Sequence, residues 1–163
     1  LPIRAWPLPH FIRVARELTD RGYAVGVVGT GEDRDMAEEI ARSCEGDACI
    51  DLTGYTRTVR ELMILFHLAD LLITNDGGPG HFASLTPLPA ILLFGPETPV
   101  LYGSLAPNAL NLYASFSCSP CLTAYNHRNS PCNGDNQCLK SIGPEEVLSK
   151  VYEILENDAA RKA

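Results

Sequence analysis

The stretch Leu71-Leu72-Ile73-Thr74-Asn75-Asp76-Gly77-Gly78-Pro79-Gly80-His81 gathers a carboxylate, adjacent glycines and a histidine at one point of the chain. Residues 71–74 are apolar or β-branched and read as a short buried strand. Asn75-Asp76-Gly77-Gly78 then reads as a turn, which small residues make at little steric cost. Pro79 suits the first position of a helix, where its missing N–H costs nothing, and His81-Phe82-Ala83-Ser84-Leu85 continues that helix. Glycines thus let the backbone approach a ligand where a helix presents free N–H groups and partial positive charge. A phosphate fits such a place. The same residues would also make a tight strand–helix turn that holds nothing.

A second constellation is the cysteine cluster Cys118, Cys121, Cys132 and Cys138, spaced C-x2-C-x10-C-x5-C in a loop rich in Pro, Asn, Gly and Ser. Four thiolates that include a CxxC knuckle can hold zinc or iron tetrahedrally. His127 lies between the pairs and could replace one thiolate. Two disulfides or four free thiols are the alternatives. Cys44 and Cys49 stand apart and read as small buried hydrophobes.

The elements that must position these residues follow from periodicity. Apolar residues Phe11, Ile12, Val14, Ala15 and Leu18 recur at helical spacing over residues 10–20, and Gly22 ends that helix. Residues 23–28 form a strand that runs into the small-residue turn 29–32. Residues 33–43 read as a helix with Met36, Ala37, Ile40 and Ala41 on one face, followed by a short strand at 48–50. Thr58 and Glu61 make a capping box for a helix running to residue 68, with Leu62, Leu65 and Phe66 inward. After the Asn75–Gly78 turn come an apolar strand at 90–94, the loop Gly95-Pro96-Glu97-Thr98-Pro99 and a last strand at 110–113. A final helix covers 144–156, with Val147, Val151, Ile154 and Leu155 on its apolar face. Alternation of this kind predicts an α/β fold with a parallel sheet of about five strands flanked by helices. In such sheets ligands sit beyond the carboxyl ends of the strands. The turns at 29–32, 75–80 and 95–98 all belong to that edge, which favours a shared cleft.

Length and charge set limits. The 163 residues suffice for one domain with a core, and 45% hydrophobic with 20% charged residues is the balance of a globular chain. A net charge of −7 argues against a nucleic-acid footprint, which needs a basic face. An anionic ligand would need positive potential supplied locally. No apolar run reaches membrane-spanning length. The opening Leu1-Pro2-Ile3-Arg4-Ala5-Trp6-Pro7 lacks the pattern of a signal peptide and an initiator Met, so the chain reads as a fragment of something longer.

Together, Asp76-Gly77-Gly78-Pro79-Gly80-His81, Pro89, Leu93-Phe94-Gly95-Pro96 and Arg4-Ala5-Trp6-Pro7 resemble the donor-binding half of family 9 glycosyltransferases. These are the bacterial heptosyltransferases and relatives that build lipopolysaccharide. Their pattern is Asp-(Ser/Thr)-Gly-Pro-x-His followed by a Phe-Gly-Pro loop, with a basic residue two positions before Trp-Pro; Thr58 and Glu61 fit the family's helix opening. The resemblance implies one Rossmann-like half of a GT-B fold. Residues 1–163 would be a single C-terminal nucleotide-sugar-binding domain that starts after its own first strand, with a Cys-rich loop inserted at about 114–140.

It also implies roles. Gly77, Gly78 and the N–H groups up to His81 would hold the pyrophosphate of a nucleoside-diphosphate sugar resembling ADP-heptose. His81 would donate a hydrogen bond or carry charge, and Arg4 would pair with phosphate oxygens through its planar fork. Asp76 would meet sugar hydroxyls or fix the turn, Glu32 would accept from ribose hydroxyls, and Arg57 and Thr58 would line the nucleotide pocket. The reaction implied is inverting sugar transfer to a lipopolysaccharide or other glycan acceptor, without a required metal. The general base and the acceptor surface would belong to the missing N-terminal domain. The location implied is the cytoplasm, peripheral at the inner face of the inner membrane, where disulfides are disfavoured and a structural zinc or iron knuckle is preferred. One departure is Gly77, which stands where the family has a hydroxyl. It keeps a second reading open, a non-catalytic Rossmann-like binding or assembly module that uses the four-Cys knuckle.

Overall fold

Leu8 to Asp20 form the first helix, α1 (Leu8–Asp20), because Val14, Ala15 and Leu18 fall on one buried face. The computed structural model describes residues 2–123, 125, 129, 130, 132 and 135–162. They divide into two units, Pro7–Leu62, and Leu1–Trp6 with Met63–Ala163.

In the unit Pro7–Leu62, α1 ends where the Gly22 N–H donates to Thr19 and the Tyr23 N–H to Leu18, with Gly22 at φ 86°. That left-handed residue is the cap a glycine makes without strain. The strand β1 (Val25–Val27) pairs in parallel with β2 (Cys49–Asp51), joined through a short 3-10 turn at Gly31–Asp33 and α2 (Arg34–Ser43). Ala15, Ile40 and Cys49 centre its core, with Phe11, Ile12, Val25, Val27 and Cys44 packed around them. The helix α3 (Val59–Leu68) begins in this unit at the expected capping box. Thr58 Oγ1 accepts from the Glu61 N–H at 3.2 Å, and the Glu61 carboxylate accepts from the Thr58 N–H at 3.1 Å.

The other unit is built on a parallel sheet of β3 (Leu72–Asn75), β4 (Ala90–Phe94) and β5 (Ala109–Tyr113) in that order. The register places Leu72 beside Ala90 and Asn75 beside Leu93, then Ala90 beside Ala109 and Phe94 beside Tyr113. All five residues of β4 are buried, the signature of a strand covered on both faces. Between β3 and β4 lies α4 (Gly78–Ala83); after β4 comes α5 (Pro99–Tyr102), and after β5 come α6 (Gln137–Lys140) and α7 (Pro144–Lys162). Gly80 lets α4 lie against the sheet. A Cβ there would stand 2.5 Å from Leu92 Cδ2.

The expected strands and long helices are present, in parallel pairing with flanking helices. Among the described residues the strands pair as one sheet of two, β1 and β2, and one of three, β3, β4 and β5, where a single sheet of about five was expected. The first helix starts at Leu8, not residue 10, because Pro9 falls in its first turn, where no intrahelical N–H is needed. The final helix continues through Ala159, Ala160, Arg161 and Lys162, all good helix formers, to Lys162. Met36 is 46% exposed, so the buried face of α2 is narrower than its periodicity implied, held by Ala37 and Ile40. Cys49 is buried as expected, whereas Cys44 is only half-buried.

Candidate functional site

The turn after β3 is held by residues far away in sequence. The Asp76 N–H donates to the Leu93 carbonyl at 3.0 Å, which carries the β3–β4 pairing one residue past the strand. Asn75 Oδ1 accepts from the Trp6 N–H at 2.8 Å. Trp6 is itself buried, and its indole N–H donates to the Ile142 carbonyl at 2.8 Å. These bonds fix a 3-10 turn at Pro2–Arg4 beside the end of β3 and so deliver the side chain of Arg4.

Arg4 Nη2 lies 2.7 Å from Asp76 Oδ2 and donates to the Asp76 carbonyl at 2.9 Å. Its Nη1 is 4.0 Å from Oε1 of Glu97, in the loop after β4. The Asp76 side chain is 4% exposed, Glu97 2% and Arg4 22%. One guanidinium therefore faces two buried carboxylates, and charge pairing here is little screened by water. Both Asp76 carboxylate oxygens are buried without an aligned hydrogen bond, so the ion pair is what compensates them. Of the two roles expected for Asp76, fixing the turn is the one this geometry displays.

Gly77 is extended, with φ 170°, and Gly78 opens α4. Both lie at the carboxyl edge of the β3–β4–β5 sheet, as does the Gly95–Glu97 loop. His81 stands in α4 with its side chain exposed. Arg4, Asp76, Gly77, Gly78 and His81 thus belong to one unit, and Arg4 and Asp76 are in contact. Glu32 and Thr58 belong to the other unit. Glu32 is exposed in the Gly31–Asp33 turn, and the Thr58 hydroxyl caps α3. Sequence reasoning passed over Glu97, although a carboxylate straight after an all-apolar buried strand is the signal that could have found it. It also passed over Asn136, which carries no local signal, and it gave Asn75 and Trp6 no part in holding the site.

The Cys-rich loop is tied to the Gly95–Glu97 loop. The Cys121 and Leu122 N–H groups both donate to the Pro96 carbonyl, at 2.8 and 2.9 Å, and Ser119 Oγ donates to the Gly95 carbonyl. Ser130 Oγ donates to Cys121 Sγ at 3.1 Å and accepts from the Cys132 N–H at 3.0 Å. Burial pushes the Cys138 thiol up, and the nearby thiols of Cys121 and Cys118 push the same way. All six cysteines are free thiols. Among the described residues no group of three or more His, Cys, Asp or Glu side chains is placed to hold a metal ion. His127 lies outside the described residues. In the other unit, burial with Cys44 alongside raises the Cys49 thiol to about 12.

Among the described residues no helix is long and apolar enough to cross a membrane. The chain is 29% identical over 164 residues to lipopolysaccharide heptosyltransferase 2 of Escherichia coli (strain K12), covering 98% of this chain and 45% of that protein. The solved structure of E. coli ADP-heptose LPS heptosyltransferase II superimposes with a TM-score of 0.80 at 25% identity, over 97% of this chain and 44% of that one. A second E. coli heptosyltransferase, WaaC, solved with ADP, shares the fold at a TM-score of 0.70 and 18% identity, over 93% of this chain and 40% of that one. This chain therefore spans less than half the length of the relatives it matches. The profile of glycosyltransferase family 9 (heptosyltransferase) matches residues 2–130, a span that takes in the Arg4-Ala5-Trp6-Pro7 segment, the Asp76 turn and the Gly95–Glu97 loop, and the chain belongs to that family.

Proposed function

We propose that this chain is the C-terminal, donor-binding domain of an inverting glycosyltransferase. It takes a heptose-like sugar from a nucleoside-diphosphate sugar, ADP-heptose or a close analogue, for transfer to a lipopolysaccharide or other glycan acceptor. The observation that carries the reading is the family's Asp-x-Gly-Pro-x-His turn, held at the carboxyl edge of a parallel sheet by Arg4. A relative of the same fold was solved with ADP, which favours an adenine nucleotide.

In the reaction an acceptor hydroxyl attacks the anomeric carbon, the bond from that carbon to the diphosphate oxygen breaks, and a nucleoside diphosphate leaves with the electron pair. The chain's task is to hold the donor and offset the charge that develops on the leaving group. The N–H groups of Gly77, Gly78 and Gly80 and the exposed His81 ring face the pyrophosphate, the His81 N–H being taken by the Gly77 carbonyl at 3.4 Å. Arg4 lends positive charge while keeping Asp76 in place. Glu32 and Thr58 read the ribose and nucleotide. The base and acceptor surface come from an N-terminal domain, working at the cytoplasmic face of the inner membrane. Cys118, Cys121, Cys132 and Cys138 are the residues that would hold a structural zinc or iron, although among the described residues they form no metal-holding group as placed. Elemental analysis of reduced protein purified without added metal should find about one equivalent, and finding none would leave the thiols free.

Titration calorimetry with ADP, UDP and GDP tests the donor reading. ADP should bind weakly to this chain, and His81→Ala should weaken it by roughly tenfold, the usual loss for one charge-assisted phosphate contact. The chain alone should transfer nothing. If none of the three nucleotides binds, the alternative of a non-catalytic module takes its place, which the absent hydroxyl at Gly77 already favours slightly.

A further inference from the structure

Asn136 is 7% exposed and sits between Cys132 and Cys138, away from every residue that the family motifs single out. Its Nδ2 donates to the Ala5 carbonyl at 2.8 Å and to the Ile3 carbonyl at 3.1 Å. Both partners are acceptors, so the amide orientation is fixed by chemistry: the nitrogen must face them. Its two N–H bonds therefore grip the carbonyls on either side of Arg4, across more than 130 residues of sequence.

Asn136 is itself held. Its carbonyl accepts from the Leu139 and Lys140 N–H groups at 3.0 and 3.1 Å, so it forms the start of α6. The next residues of the same segment reach the sheet. Cys138 and Leu139 pack on Gly95, where a Cβ would stand 2.5 Å from Leu139 Cγ and 2.9 Å from Cys138 Sγ. One rigid segment thus touches the backbone that launches Arg4 and the loop that carries Glu97. Arg4 has a long, rotamer-rich side chain, and its direction is only as defined as the turn that bears it.

We propose that Asn136 is a positioning residue for Arg4. It aims the guanidinium between Asp76 and Glu97, and through it the Cys-rich segment sets the geometry of the donor site. The first half stands on the bonds alone; the effect on donor binding rests on the function proposed above. A structural cap that merely satisfies two carbonyls would stabilise the fold without affecting Arg4 in particular, and this difference can be measured.

The experiment uses the chain labelled with ¹⁵N, comparing wild type with Asn136→Ala and with Asn136→Ser, which keeps a single donor. The first readout is solvent exchange of the Arg4 Nε–H, with the Trp6 indole N–H as internal reference. Exchange at Arg4 should speed up by about tenfold or more in Asn136→Ala, and by less in Asn136→Ser, while the Trp6 signal holds. The second is ADP affinity in a double-mutant cycle. Asn136→Ala should weaken binding by about fivefold in wild type and hardly at all when Arg4 is already alanine. Unchanged Arg4 exchange in a folded variant overturns the proposal, as does an equal affinity loss with and without Arg4. If ADP fails to bind wild type, the donor reading falls, and the exchange measurement still decides the role of Asn136. If Asn136→Ala does not fold, Asn136→Ser decides by the same two criteria.

Discussion

Two turns of this protein follow the same grammar and are held in different ways. After β1, Gly29-Thr30-Gly31 leads into α2; after β3, Asp76-Gly77-Gly78 leads into α4. The first is closed by its own neighbour. Asp33 Oδ2 accepts from the Thr30 N–H at 2.8 Å and from the Thr30 hydroxyl at 2.9 Å, at an exposed site. The second is closed by Arg4, 72 positions away, in a buried cluster with Asp76 and Glu97. The same contrast holds at the strand ends. Thr53, with its side chain and its amide at 2.7 Å, holds the Asp51 carboxyl below the usual range, whereas Asp76 has no such local partner. A turn that satisfies itself can sit in water. A turn whose carboxylate is buried needs the tertiary structure to supply a cation.

The largest test of this contrast is Arg4→Ala. It removes the cation paired with the buried Asp76 carboxylate and should destabilise the unit by about 3–5 kcal/mol in denaturant unfolding. Adding Asp76→Asn should recover much of the loss. A cost under about 1 kcal/mol would mean that the Asp76 turn is as local as the Gly29 one.

Next is Gly80→Ala, whose new Cβ would lie 2.5 Å from Leu92 Cδ2 and should cost about 1–3 kcal/mol. The same change at Gly31, where a Cβ meets nothing within 4 Å, should stay within about 0.5 kcal/mol. Thermal unfolding of the two variants gives the comparison directly, and equal shifts would remove it.

Smaller again is Asp33→Ala, which takes away a local cap and should cost about 1 kcal/mol. Its effect should be additive with Arg4→Ala, since the two turns share no partner; a coupling above about 0.5 kcal/mol would show that they do.

The smallest effect lies in pH dependence. The folded pKa of Asp51 is lowered, so its contribution is present above the unfolded value near about 4 and is lost as pH falls through the folded value. Asp51→Asn should therefore lower stability slightly at neutral pH, flatten the acid limb and leave the most acid pH little changed. A steeper acid limb in the variant would reverse the sign of this assignment.

Residue order alone determined the local features. The alternation of apolar runs with capped helices specified the parallel α/β class. Thr58 and Glu61 announced their capping box, Gly22 its helix end and the five apolar residues of β4 their burial, because each depends on neighbours within a few positions. The motif from Asp76 to His81, with Arg4 and the Phe-Gly-Pro loop, was legible enough to place the chain in its family. Only the tertiary structure decided that Arg4 turns to Asp76, that Glu97 joins them, that Asn136 grips the backbone around Arg4, and that the described strands pair as a sheet of two and a sheet of three. The side-chain contacts among them rest on bonds between residues from 72 to 133 positions apart, which no spacing rule encodes. They are fixed when burial strips water from a charge and leaves it whichever partner the packed chain has brought near.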